Sequence, residues 1–212
     1  MSRRADDGWT EEGLHVMPRK RPAPEPVTGW LDEEQQRAWL AYIKVQLRLV
    51  YEMNRQLQAD SRMSLADWDV LTALGASESA SLTVTALAAQ IGWERSRLSH
   101  HAKRMASRGL VELATADSDR RATEVRLTAE GRVTLERAAP GHVELIKRLF
   151  FGGMPRELLD PLSTALESVY ANLLAHGSLP PPDNFHADGA AVDAARGAGD
   201  GTGAEARPAS RS

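Results

Sequence analysis

The chain has no cysteine. That excludes disulfides, thiolate metal sites and cysteine redox sensing, and it fits a cytoplasmic protein. It also has no run of about 18 apolar residues, so neither a membrane span nor a membrane partner is expected. Met1–Gly13 is charged and has no apolar stretch, which argues against a secretory signal. A nucleophile elbow, a phosphate loop and metal-ligand spacing are all missing, so an enzyme is not expected, and no catalytic residue, cofactor or metal. His100 and His101 are adjacent, and neighbouring helical positions do not converge on one ion; His142 and His176 are isolated in sequence.

What is present suits one globular domain between two polar tails. Apolar residues make up 42% of 212, enough for a core. Residues 1–27 mix charge, proline and glycine without periodicity, and Arg19-Lys20-Arg21 ahead of Pro22, Pro24 and Pro26 reads as a flexible basic arm. Residues 178–212 are rich in Gly, Ala, Pro, Asp and Ser and read as a disordered tail. The folded domain is expected over 28–177.

The net charge of −3 argues against nucleic acid until its distribution is considered. From Arg95 to Arg126 eight basic residues face four acidic ones, a net +4 that leaves −7 on the rest of the chain. A basic reading surface on an acidic body keeps phosphate contacts local.

The apolar periodicity gives the elements. Asp32, with Gln35 three residues on, caps a long helix through about Asp60. Ser64 and Asp67 form a second capping box, for a helix ending near Gly75. Leu82-Thr83 forms a short strand and then the cap of a helix over Val84–Gln90. Gly92 makes a turn into a helix from about Glu94 to Ser107, closed by Gly109. Its buried stripe is expected to be Leu98, Ala102 and Met105, with Arg97, His100, His101, Lys103 and Arg104 largely off it. Leu110–Ala114 and Thr123–Leu127 form a hairpin. Thr128 caps a helix to about Phe151 that Pro140-Gly141 should bend or break. Pro155, at a first helical position, opens a last helix over about Arg156–Ala175.

Helix, glycine turn and basic helix make a helix-turn-helix, whose second helix enters the major groove. Ser96, Arg97, Ser99 and His100 are the candidates near base edges, and Arg95 and His101 are expected among the DNA-binding residues. Arg97 suits guanine, and Lys103 and Arg104 are better placed for phosphate. His100 and His101 give DNA affinity a route to pH sensitivity. Arg120 and Arg121 at the hairpin tip suit a minor groove, with Asp117 or Asp119 orienting a guanidinium. The plain alternatives are a solvated basic helix and a charged hairpin that resists aggregation. Finding both side by side favours a reader of double-stranded DNA.

These residues resemble the MarR family of bacterial transcriptional regulators. The resemblance is carried by Leu87-Ala88 through Arg95-Ser96-Arg97-Leu98-Ser99, by Arg108-Gly109-Leu110-Val111, and by Asp119-Arg120-Arg121-Ala122 with Val125 to Gly131. It spans about Leu31 to Leu174. It implies a mostly α fold with a small β-hairpin, a winged helix-turn-helix whose DNA-binding lobe is 83–128 and whose dimerisation helices are 31–60 and 130–175. It further implies a homodimer reading a pseudopalindrome one helical turn apart and a small-molecule effector between the dimer region and the lobe; the regulator is expected to be a repressor. For that effector the aromatic candidates are Trp39, Tyr42 and Trp68, against the plainer reading of core or dimer interface. Trp93-Glu94 departs from the Ser-type cap many members carry, and both tails exceed the family core. A winged-helix binder without a ligand, controlled by abundance or a partner protein, is the alternative.

Overall fold

The structure is a computed structural model describing residues 29–116 and 120–182. The expected arm 1–27, nearly all of the expected tail 178–212, and Asp117–Asp119 lie outside the described residues. Six α-helices and three strands are described: α1 Glu33–Ser61, α2 Leu65–Ala76, β1 Ser81–Thr83, α3 Val84–Gln90, α4 Arg95–Ser107, β2 Val111–Thr115, β3 Thr123–Leu127, α5 Ala129–Leu149 and α6 Leu159–His176. Mostly α with a small antiparallel sheet is the fold class the periodicity predicts.

Local chemistry sets the boundaries. Asp32 accepts from Gln35 N at 2.8 Å while the Gln35 side chain accepts from Asp32 N, a closed capping box. Ser64 and Asp67 repeat the device at α2. Thr83 Oγ1 accepts from Ala86 N and caps α3. Gly92 turns the chain at φ +69°, a backbone that disfavours a side chain. β3 is the central strand, antiparallel to both neighbours in the order β1-β3-β2, with Leu82 opposite Val125 and Leu113 opposite Val125. The short Leu82 strand therefore completes the hairpin as a third member.

The core gathers Leu57 from the end of α1, Val70, Leu71 and Leu74 from α2, Leu87 from α3, Leu98 and Met105 from α4, and Val125 from β3, all at 0% exposure. α4 is thus held on its apolar side by three helices and the sheet. α6 has no buried residue, and Leu166, Val169 and Leu173 on it are exposed. Much of α1 is also uncovered, from Trp39 to Tyr51.

At Pro140 a break is excluded, and the expectation at Pro155 is corrected. α5 runs unbroken through Pro140. One lost ladder bond is offset by packing: Ala138, Ala139, His142 and Leu145 are buried around it, and a side chain at Gly141 would come within 3.1 Å of Gln56 Nε2 on α1. Pro155 does not open α6. It precedes a single 3-10 turn, Arg156–Leu158, before the helix proper.

Thr128 joins three elements. Its hydroxyl accepts from Gly131 N at 2.9 Å and lies 2.7 Å from Gly109 O and 3.0 Å from Leu110 O, so the start of α5 is fastened to the end of α4 and the start of β2. The approach is close enough that a Cβ at Gly131 would sit 2.0 Å from Leu110 O. Gly131→Ala is therefore expected to lower stability by about 1–3 kcal/mol despite the better helix propensity of alanine. An unchanged or higher midpoint in urea unfolding would show that the approach is not constrained.

Candidate nucleic-acid interface

The exposed side of α4 carries Arg95, Ser96, Arg97, His100, Lys103 and Arg104, with Ser99 half-buried beside them. Leu98, Ala102 and Met105 are buried, as the periodicity predicts. Glu94 is the N-cap of α4 but makes no side-chain capping bond. Beyond the sheet, Ala116 N donates to Ala122 O at 2.9 Å and closes the hairpin, and Arg120 and Arg121 at its tip are exposed. Asp117 and Asp119, expected to orient them, lie outside the described residues.

His101 needs correction. It is only 8% exposed and does not join the basic face. Its Nε2 lies 3.0 Å from Asp67 Oδ1, and its Nδ1 lies 3.0 Å from Arg104 Nη2. A guanidinium can only donate, so Nδ1 accepts and a neutral ring carries its proton on Nε2, aimed at the carboxylate. The helical count put His101 off the stripe because it treated histidine as polar; a buried carboxylate opposite reverses that choice.

Asp67 is the group sequence reasoning underused. It was read as half of a capping box, yet the same carboxylate also receives Arg108 Nη1 at 2.9 Å. Its exposure is 1%. Burial alone would raise its pKa; the bonds from His101, the Ser64 backbone and Arg108 outweigh that and hold the carboxyl well below the usual range. Two of the eight basic residues in the segment are thus committed internally. Arg108 serves Asp67, and Arg126 donates through Nε and Nη2 to Glu124 at 2.9 and 2.7 Å. Glu124 is held low by Ser81 and Arg126.

A basic helix face, a glycine turn before it and an arginine-tipped hairpin beside it invite comparison with known proteins. The model of the MarR family matches residues 63–122. The chain is similar to Sco3205, a MarR family transcriptional regulator from Streptomyces coelicolor solved in complex with DNA, with 34% identity, 72% of this chain and 99% of that chain covered, and a TM-score of 0.67. The chain belongs to the MarR family. AbsC, another MarR family regulator from Streptomyces coelicolor, is 32% identical over 69% of this chain and 98% of its own, at a TM-score of 0.65. The organohalide-sensing regulator RdhR-CbdbA1625, solved with 2,4-dichlorophenol, shares the fold at 18% identity, 76% and 97% coverage and a TM-score of 0.62. Comparison with curated proteins gives no match. As a MarR-family member, the chain is a DNA-binding transcriptional regulator with a winged-helix fold.

The three aromatic candidates do not form one cluster. Trp39 and Tyr42 pair on α1 with centroids 5.5 Å apart. Trp68 instead stacks on His142 of α5 at 4.3 Å, and His142 lies against Gln56. Gln56 is 14 residues past Tyr42 on the same helix, or roughly 21 Å along its axis. Burial keeps the His142 pKa below its ordinary value.

Asp69, on α2 facing Arg97 and His101, shows the opposite balance to Asp67. Burial raises its pKa to about 6, and the positive fields of Arg97 and His101 only partly resist. A raised pKa means that the folded state holds the proton more tightly. Its stabilising effect is complete below the ordinary value of 3.8 and is lost as pH rises through about 6. Asp69→Asn should therefore be more stable than the native protein at pH 7, with the gap closing toward pH 4. His142 and Asp67 titrate alike in both proteins and cancel in the difference. Parallel urea titrations at several pH values check this; a constant gap would mean that Asp69 is not the titrating group.

Proposed function

We propose that this regulator is a cytoplasmic homodimer that binds a pseudopalindromic operator, represses transcription there, and is released by a small-molecule effector. The observation that carries the DNA part is the joint exposure of Arg95, Ser96, Arg97, His100, Lys103 and Arg104 on α4 and of Arg120 and Arg121 on the wing. In this reading the lobe 83–128 docks α4 in the major groove, Ser96, Arg97, Ser99 and His100 face bases, and Lys103 and Arg104 meet phosphates. Arg120 and Arg121 reach the minor groove, with Asp119 as their orienting carboxylate.

The dimer is supported by the apolar surface that one chain leaves uncovered. Leu166, Val169 and Leu173 are 48–61% exposed on a helix with no buried residue, and α1 exposes Leu40, Tyr42, Leu47 and Tyr51. Two copies pairing 31–60 and 130–175 would cover both helices. Exposed apolar area of this extent is unusual in a monomer.

The effector reading rests on the contact of half-buried Trp68 with buried His142 and on the ligand-bound RdhR-CbdbA1625, which shares the fold. Trp39 and Tyr42 belong to a ligand site only if a second copy brings them to Trp68. A ligand acts by preferring one spacing of the two recognition helices; about 1–3 kcal/mol of preference gives a 5–150-fold response. The second reading, a binder without a ligand, draws on the separation of the two aromatic pairs in one chain. A ligand-induced thermal shift separates the two.

The experiment for the whole reading is selection of genomic fragments by the purified protein at fixed salt. An inverted repeat with half-sites about 10 bp apart is expected; a diffuse pool without a repeat refutes dimeric operator recognition. On the selected site, Arg97→Ala should relax one base position per half-site by about 1–3 kcal/mol, while Arg121→Ala should weaken all sequences alike and flatten the salt dependence. If neither change alters binding at moderate salt, the docking is wrong. Leu166→Glu should yield a monomer in sedimentation equilibrium and lose at least tenfold in operator affinity. A folded monomer with full affinity would contradict the dimer.

A further inference from the structure

Trp93 is the residue before the α4 cap, and its ring is not where a surface residue would be. It is 8% exposed and belongs to the core cluster. Its backbone N–H donates to Ala88 O at 2.8 Å, and its ring meets the His101 ring edge-on at 5.4 Å. His101 is in turn held by Asp67. Trp93 is therefore fixed on both sides, by α3 and by the buried end of the Asp67 network. Against this ring lies the guanidinium of Arg97, with Cζ 4.0 Å from the ring centroid. Arg97 itself is exposed, and Asp69 of α2 lies within its electrostatic reach.

The geometry matters because a guanidinium has two distinct surfaces. Its face stacks on an aromatic ring, whereas its N–H donors lie in its plane and point outward from the edge. Recognition of guanine O6 and N7 uses the edge. Stacking on Trp93 thus leaves the base-reading donors unspent while it removes rotamer freedom from a long side chain that otherwise pays entropy on binding. Held apart from the indole, an arginine at this position would search many rotamers and reach phosphate as readily as base.

We propose that Trp93 is a positioning residue for sequence reading: it holds Arg97 in the pose used on DNA, so that discrimination at one base pair depends on a side chain that touches no nucleotide. This rests on the assignment of Arg97 to a base. Two features single it out from ordinary packing. The guanidinium carbon itself lies over the ring, 4.0 Å from its centroid, and the ring beneath is anchored to the core rather than to the surface.

The test uses the full-length protein and the selected operator, alongside the operator changed at the base pair that Arg97 discriminates and an unrelated duplex of equal length. Trp93→Leu should reduce the discrimination ratio about two- to fivefold, the range of an exposed cation–π contact. Trp93→Phe should fall between Leu and the native protein. Affinity for the unrelated duplex should stay constant in both. In an Arg97→Ala background neither change should reduce discrimination further. A loss of the same size in that background, or a parallel loss on unrelated DNA, would show that Trp93 acts through α4 packing and overturn the proposal. So would unchanged discrimination in folded Trp93→Leu and Trp93→Phe. Should Arg97→Ala itself keep full discrimination, the base assignment fails first and is seen to fail separately. The native protein supplies an independent readout, which also serves if the Trp93 variants do not fold. The Arg97 δ protons should show an upfield ring-current shift that persists in the operator complex; its disappearance on binding would mean that the stack is a resting pose that DNA must break.

Discussion

A carboxylate with almost no exposure sits at the start of α2, and groups from three parts of the chain converge on it. Asp67 accepts from Ser64 N at 2.9 Å and closes the cap of its own helix. Arg108, just past α4, reaches it at 2.9 Å, and His101 from the middle of α4 approaches at 3.0 Å. Moving a carboxylate out of water costs several kcal/mol. Here Oδ2 accepts from Ser64 N and Arg108 Nη1 while His101 Nε2 lies 3.0 Å from Oδ1, and the carboxyl is held well below its usual range. Because those partners lie seven residues apart on and beyond α4, the carboxylate constrains both the position and the rotation of that helix. The basic side of α4 points outward because its other side is tied to one charge as well as to Leu98, Ala102 and Met105.

The same constraint runs on toward the proposed reading surface. His101 meets Trp93, and Trp93 carries Arg97. At the far end of α4, Thr128 binds Gly109 O and Leu110 O and so sets where β2 leaves and α5 begins. The helix is fastened at its start through an indole, at its middle and end through Asp67, and beyond its end through a hydroxyl. Of these fastenings, Asp67 is the one made by a carboxylate with almost no exposure, and it reaches α4 at its middle and just past its end.

How much of this was legible in the sequence differs by the range of the interaction. The capping boxes at Asp32–Gln35 and Ser64–Asp67, the short helix capped by Thr83 and the strand Thr123–Leu127 all follow from contacts within a few residues, and each is found in place. That α5 does not break at Pro140 was not legible, because the cost of the proline is local while the packing of Gly141 against Gln56 spans 85 residues. His101 misled for the same reason, its partner Asp67 being 34 residues away. The exposed members of the candidate site, Arg95, Ser96, Arg97, His100, Lys103, Arg104, Arg120 and Arg121, were legible as a pattern of charge. Their internal assignments were not, since nothing in the spacing tells Arg104, which touches His101, from Lys103. The aromatic trio follows from residue type and from the two helices nearest the expected cleft, and the helix geometry parts it.

Charge accounting changes once the internal pairs are known. The basic segment carries eight positive residues in the sequence, but Arg108 is matched to Asp67 and Arg126 to Glu124. Neither pair adds to the field a duplex would meet at contact range. Both basic members are spent on architecture, one fixing α4 and the other bracing the sheet from which the wing extends. Arg95, Arg97, Lys103, Arg104, Arg120 and Arg121 divide between α4 and the hairpin tip, two separate places rather than one broad patch. Two small clusters at a fixed spacing fit a groove and its neighbouring backbone, whereas a single continuous patch of the same charge would bind any polyanion in many registers.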